Sequence, residues 1–137
     1  MDKQYYVIVE DSEDDLEFIL DGLRKVTNTF EQKVLTDGRQ ADHFITDLID
    51  MKRELPKMML LDLKLPMLTG LEILEKLKGH EYTRKIPVII FTSSQSHGDV
   101  EKAYEIGVNA FVVKPIDYKQ FILAAENIGK FWLGYNI

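Results

Sequence analysis

The run Met58-Met59-Leu60-Leu61 is apolar at every position and then meets a carboxylate, Asp62. A strand with water on one face alternates apolar and polar residues. A strand without that alternation is buried on both faces, as in a parallel sheet covered by helices. Ligands of open parallel sheets bind beyond the carboxyl ends of the strands. Asp62 stands where such a strand ends. A lone aspartate after a strand is also the ordinary residue of a solvated turn, so its meaning depends on what else reaches that edge.

The rest of the chain supplies the remaining strands and their helices. Tyr5 to Val9 is apolar and ends in Glu10-Asp11. Ser12, with Asp15 three residues on, reads as a capping box that starts a helix. Leu16, Ile19, Leu20, Leu23 and Val26 then form one helical face. Phe30 to Leu35 is short and mixed and reads as an edge strand, and Asp37-Gly38 as a turn. Ala41, Phe44, Ile45, Leu48 and Ile49 mark a second helix, expected to run on through Asp50 to Glu54 before Pro56. The strand Met58 to Asp62 follows. Leu71, Ile73, Leu74 and Leu77 mark a third helix ending near Gly79, and Val88 to Phe91 the fourth strand. Val100, Ala103 and Tyr104 lie on a fourth helix that stops at Gly107. Ala110 to Val113 is the fifth strand, and Phe121, Ile122, Ala125 and Ile128 mark the last helix. Strict alternation of buried strands and helices specifies an α/β fold, a parallel sheet covered on both faces. The 137 residues carry no repeat or linker and fit one domain.

At the carboxyl edge of that sheet the strands deliver Glu10, Asp11, Asp62, Thr92 and Lys114. Three carboxylates in one pocket repel unless a cation neutralises them. The chain has no cysteine, so thiolate chemistry and zinc–thiolate sites are excluded. An all-oxygen site suits a hard ion, Mg²⁺ or Mn²⁺, with open positions for phosphate oxygens. A lysine and a hydroxyl beside that ion suit a transferring phosphoryl group. An aspartate can serve as its nucleophile.

The segments Val9-Glu10-Asp11-Ser12, Leu61-Asp62-Leu63-Lys64-Leu65-Pro66 with Gly70, Phe91-Thr92-Ser93 and Val113-Lys114-Pro115 resemble the receiver domain of two-component response regulators. The resemblance spans about residues 5 to 130 and implies a doubly wound five-stranded sheet of flavodoxin-like order 2-1-3-4-5. It implies Asp62 as phosphoacceptor, Asp11 and Asp62 as direct Mg²⁺ ligands joined by the backbone carbonyl of Lys64, and Glu10 holding a metal-bound water or sharing the ligation. Lys114 would pair with the phosphoryl group, and its bond to Pro115 is expected to be cis. Thr92 and Phe111 fall at the switch positions, Phe111 where tyrosine is frequent. The implied function is a single-domain regulator that takes a phosphoryl group from a histidine kinase or phosphotransfer protein. It would signal to a downstream protein target through a changed binding surface, without being an enzyme in its own right.

Rival readings fit the residues less well. An aspartyl-phosphate phosphatase usually has a general acid two residues after the nucleophile, and that residue is Lys64. A nucleotide-binding module wants a Gly/Ser/Thr-rich loop after the first strand, and Glu10 to Asp15 is the opposite. A receiver that binds its partner without phosphorylation stays open. A net charge of -6 argues against nucleic acid or an anionic membrane as partner. No stretch approaches the ~20 apolar residues of a membrane span, and the start has no signal-peptide core, so a cytoplasmic protein is expected. The tail, residues 131–137, holds Phe131, Trp132, Leu133, Tyr135 and Ile137. These either fold back on the chain's own helices or form a homodimer or docking surface. The Phe-Trp-Leu ending and the long segment from Thr36 to Lys57 resemble the small response regulators that partner bacterial phytochromes.

Overall fold

The computed structural model describes residues 4–136. Elements alternate as β1 (Tyr5–Val9), α1 (Glu13–Val26), β2 (Glu31–Leu35), α2 (Gly38–Met51), β3 (Met59–Leu61), α3 (Gly70–Lys78), β4 (Val88–Thr92), α4 (His97–Ile106), β5 (Ala110–Val113) and α5 (Tyr118–Gly129). The strands form one parallel sheet in the order β2-β1-β3-β4-β5. β2 is the exposed edge beside β1, and its sequence is mixed for that reason.

The period-2 geometry of strands divides the core into two layers. Val7, Val9, Met59, Leu61, Val88 and Ile90 face α2, α3 and α4. Tyr6, Ile8, Met58, Leu60, Ile89 and Phe91 face α1 and α5. Nearly all are fully buried, which is why the central runs show no polar alternation. Ala41, Ile45 and Leu48 of α2 are wholly buried at helical spacing. Burial of a side chain such as Ile45 or Leu48 contributes roughly 1.5–3 kcal/mol.

Three local expectations are corrected. α2 does not run on to Glu54; it stops at Met51, because Lys52 adopts a left-handed φ of 46° that ends the helix. The capping box at Ser12 is only half made. Ser12 Oγ accepts from Asp15 N at 3.3 Å, but the Asp15 carboxylate turns away to a lysine. A full capping box instead opens α3, where Thr69 and Glu72 cap each other's backbone N–H groups.

The tail continues α5 as a wider turn, Lys130–Tyr135. Leu133 is buried and Trp132 packs beside it against the α1–α5 layer. Phe131 stacks edge-on against Trp132 at 4.9 Å. Phe131 and Tyr135 stay exposed, at 49% and 78%. Trp132 and Leu133 therefore fold back on the chain's own helices, as the first expectation has it. Ile137 lies outside the described residues.

Candidate functional site

Strand parity decides which side chains can meet. Glu10 continues the register of Tyr6 and Ile8, Asp62 that of Met58 and Leu60, and Lys114 that of Ala110 and Val112. All three therefore turn toward the α1–α5 layer. Thr92 continues Val88 and Ile90, and Phe111 opposes Ile90 across the ladder, so both belong to the other face.

The structure brings four of the predicted residues, Glu10, Asp11, Asp62 and Lys114, together at the carboxyl edge. Lys114 Nζ donates to Glu10 Oε1 at 2.7 Å, Asp15 Oδ2 at 2.7 Å and Asp62 Oδ2 at 2.9 Å. The lysine side chain is only 7% exposed. Its three donors are all used. Asp62 Oδ1 accepts from the Leu63 N–H at 2.7 Å, so both of its oxygens are held. Carboxylate oxygens of Glu10, Asp11 and Asp62 lie within 4.8 Å of one another. Glu10 and Asp62 are buried and Asp11 is exposed. An oxygen-only donor set with one open side fits a hard divalent cation.

The electrostatics follow from burial. Desolvation pushes the Glu10 carboxyl up to about 7, and the Asp62 charge adds to this. Hydrogen bonds from Lys114 and the Ser12 N–H pull it partly back. Burial alone would lower the Lys114 pKa. Hydrogen bonds to Asp15, Glu10 and Asp62 outweigh burial and raise it above the usual lysine value.

The loop behind Asp62 is fixed by backbone contacts. Asp62 N donates to Val9 O at 3.1 Å, extending the ladder past the end of β3. Gly70 N donates to Leu63 O at 2.8 Å. A Cβ on Gly70 would collide with Asp62 O and sit 2.7 Å from Leu63 Cα. The loop is tied from its other side by Gly38 N, which donates to Pro66 O at 2.9 Å. Met67, in between, takes φ 78° and is exposed. The Lys64 side chain points to solvent.

Thr92 is fully buried. Its Oγ1 accepts from Ser94 N at 3.4 Å, and its carbonyl accepts from Lys114 N at 2.7 Å. Phe111 is half-buried against the layer of α2, α3 and α4. The Lys114–Pro115 bond is trans, against the expected cis bond, and no cis peptide occurs among the described residues. Trans is the lower-energy form of X–Pro bonds by about 0.5–1 kcal/mol, and here Lys114 reaches all three carboxylates with it. Asp15 was missed as a site residue. Its spacing from Ser12 pointed to a helix cap, and nothing local distinguishes a capping aspartate from one that reaches across to β5.

Comparison with known proteins places these features in a family. Residues 7–126 match the response regulator receiver domain. The chain is 34% identical over 130 residues to the probable methanogenesis regulatory protein FilR2 of Methanothrix harundinacea, covering 95% of this chain and 84% of that one. It is 32% identical over 128 residues to the response regulator Rcp1 of Synechocystis, covering 93% and 87%. The Mn²⁺-bound form of Rcp1 superposes with a TM-score of 0.90 at 30% identity, over 98% of this chain and 97% of that one. The phosphorylated cyanobacterial phytochrome response regulator RcpA superposes with a TM-score of 0.91 at 26% identity, over 99% and 98%.

Proposed function

This chain belongs to the response regulator receiver domain family, and from that premise we propose that it is a phosphoacceptor switch acting through Asp62. The observation that carries the reading is the Lys114 ammonium. It is held by Asp62 and Glu10 beside the Glu10–Asp11–Asp62 cluster, at the edge where all the core strands end.

In the proposed reaction one Asp62 oxygen attacks the phosphorus of a phosphohistidine on a kinase or phosphotransfer protein. A P–O bond forms and the N–P bond breaks; the imidazole nitrogen leaves with the electron pair. The Leu63 N–H orients the carboxylate by holding Oδ1. Lys114, next to Oδ2, offsets charge on the phosphoryl oxygens. A divalent cation, Mg²⁺ or Mn²⁺, would be held by Asp11, Asp62, Glu10 and the Lys64 carbonyl, and would neutralise the same oxygens. The chain catalyses at most its own phosphorylation and dephosphorylation.

The switch follows from the shared face of Thr92 and Phe111. Phosphoryl oxygens on Asp62 offer the Thr92 hydroxyl a new acceptor, and its movement makes room for Phe111 to turn further inward. Phe111 has no hydroxyl, so its inward state rests on packing alone. The surface of α4, β5 and α5 then changes for a downstream protein. Phosphorylation acts only by the difference between its contacts in the two states. Phe111→Ala should abolish the phosphorylation-dependent gain in partner affinity, and an unchanged gain would remove the aromatic step.

We assign residues 1–137 to one receiver domain acting in the cytoplasm. Phe131 and Tyr135, exposed on the tail, suit a homodimer contact. Light scattering on dilution tests it, and a monomer in both phosphorylation states would remove it. The phosphoacceptor assignment is tested by intact-protein mass after acetyl phosphate and Mg²⁺. The wild type should gain one phosphoryl group and Asp62→Asn none. A wild type without the gain, or an Asp62→Asn variant with it, would contradict the assignment.

A further inference from the structure

Lys114 is held by one carboxylate that lies outside the metal-type cluster. Asp15 Oδ2 is 2.7 Å from Lys114 Nζ, as short as the Glu10 contact and shorter than the 2.9 Å to Asp62. Asp15 is fixed in the first turn of α1, where its N–H donates to Ser12 Oγ at 3.3 Å. It is not among the three carboxylates whose oxygens cluster within 4.8 Å. The three partners of the ammonium therefore differ in kind. On the receiver reading, Glu10 and Asp62 would take a cation and a phosphoryl group as partners, and Asp15 would keep the lysine.

Resting on the receiver reading above, we propose that Asp15 is a positioning residue for phosphoryl transfer, one that keeps Lys114 at the reacting oxygens when Glu10 and Asp62 let it go. A lysine ammonium rides on a flexible four-carbon stem. Nothing in β5 fixes the far end of that stem. A charged hydrogen bond from α1 does so, and it leaves two of the three N–H donors free to meet phosphoryl oxygens. The alternative role for Asp15 is generic. A carboxylate in the first turn of a helix interacts favourably with the helix dipole wherever its side chain points. Glu13 and Asp14 occupy that same turn. Both are exposed, and neither touches Lys114. They supply an internal control for the dipole effect.

The test uses the full chain and radiolabelled acetyl phosphate at saturating Mg²⁺, with label on the protein followed by rapid quench. An Asp62 oxygen bonds to phosphorus, the P–O bond to the acetyl group breaks, and acetate leaves with the electron pair. Asp15→Ala should lower the labelling rate roughly tenfold, the scale expected when a charge-bearing group loses its orientation. Asp15→Glu should recover part of the rate. Asp14→Ala, which removes an equal first-turn charge, should label at the wild-type rate. If Asp15→Ala does not fold, the near-isosteric Asp15→Asn carries the test and should also label more slowly than wild type. Wild-type labelling by Asp15→Ala, or an equal loss in Asp14→Ala, overturns the positioning role and leaves the receiver reading standing. A wild type that takes no label overturns both.

Discussion

Gly70 is the residue whose replacement tests how the fold holds its phosphoacceptor. It is the first residue of α3, capped by Thr69, and its φ is not in the left-handed region. Conformational freedom is therefore not why glycine stands there. Space is. A Cβ at residue 70 would run into the Asp62 carbonyl oxygen, would lie 2.7 Å from Leu63 Cα and 3.0 Å from Asp62 C. All three atoms are backbone, and the same peptide carries the Leu63 N–H that orients Asp62 at 2.7 Å. Two effects oppose each other in Gly70→Ala. Alanine gains up to about 1 kcal/mol over glycine in a helix. Overpacking against rigid backbone costs about 1–3 kcal/mol or more. With the Asp62 strand held by the Val9 carbonyl at 3.1 Å, relief must come from tilting α3 or shifting the Asp62–Leu63 peptide. Overpacking should win, giving a net loss of about 1–2 kcal/mol. The larger effect should fall on function, because the carboxylate moves with its peptide. Urea unfolding reads the first, and Mg²⁺ titration with acetyl phosphate labelling reads the second. A Gly70→Ala protein of unchanged or increased stability that binds Mg²⁺ and labels like wild type would refute the steric account.

Other perturbations follow from the same geometry. Lys114→Met leaves buried Glu10 and Asp62 without their cation, and breaking such a group costs up to about 3–5 kcal/mol. Glu10 is already pushed up to about 7 by burial with the lysine present. Its pKa rises further without it, so the folded state binds the extra proton and stability falls as pH rises through that value. The variant's deficit should be larger near pH ~8 than near pH ~5, and Mg²⁺ should reduce it; denaturant curves at both pH values check this. In the tail, Leu133→Ala empties a buried position and should cost about 2 kcal/mol in thermal or urea unfolding. Tyr135→Ala, at an exposed residue, should stay within about 0.5 kcal/mol of wild type as a monomer.

Much of this site was legible because buried strands alternate strictly with helices along the chain. That order specifies a parallel sheet, which sends every strand's carboxyl end to one edge. Glu10, Asp62 and Lys114 could therefore be placed at one edge from sequence alone, although 104 residues separate Lys114 from Glu10 and 52 separate it from Asp62. What could not be read were contacts set by tertiary reach. Asp15 sits at a capping spacing, and only the folded chain, with α1 against α5 and Lys114 just past the end of β5, reveals its second use. The end of α2 was missed because Asp50 to Glu54 has ordinary helix-forming residues, and nothing in that run marks Lys52 as the left-handed cap. The cis bond at Pro115 was an implication of family likeness, not of any residue here, and the structure has the trans form.

A phosphoryl group on Asp62 should be felt at Thr92, Lys114 and Phe111. Beryllofluoride with Mg²⁺ mimics that group without turnover, and backbone amide NMR reads each position directly. Saturable shifts are expected at Leu63, Thr92, Phe111 and Lys114 in the wild type and none in Asp62→Asn. A wild-type spectrum that does not respond, or an Asp62→Asn spectrum that responds alike, would contradict it.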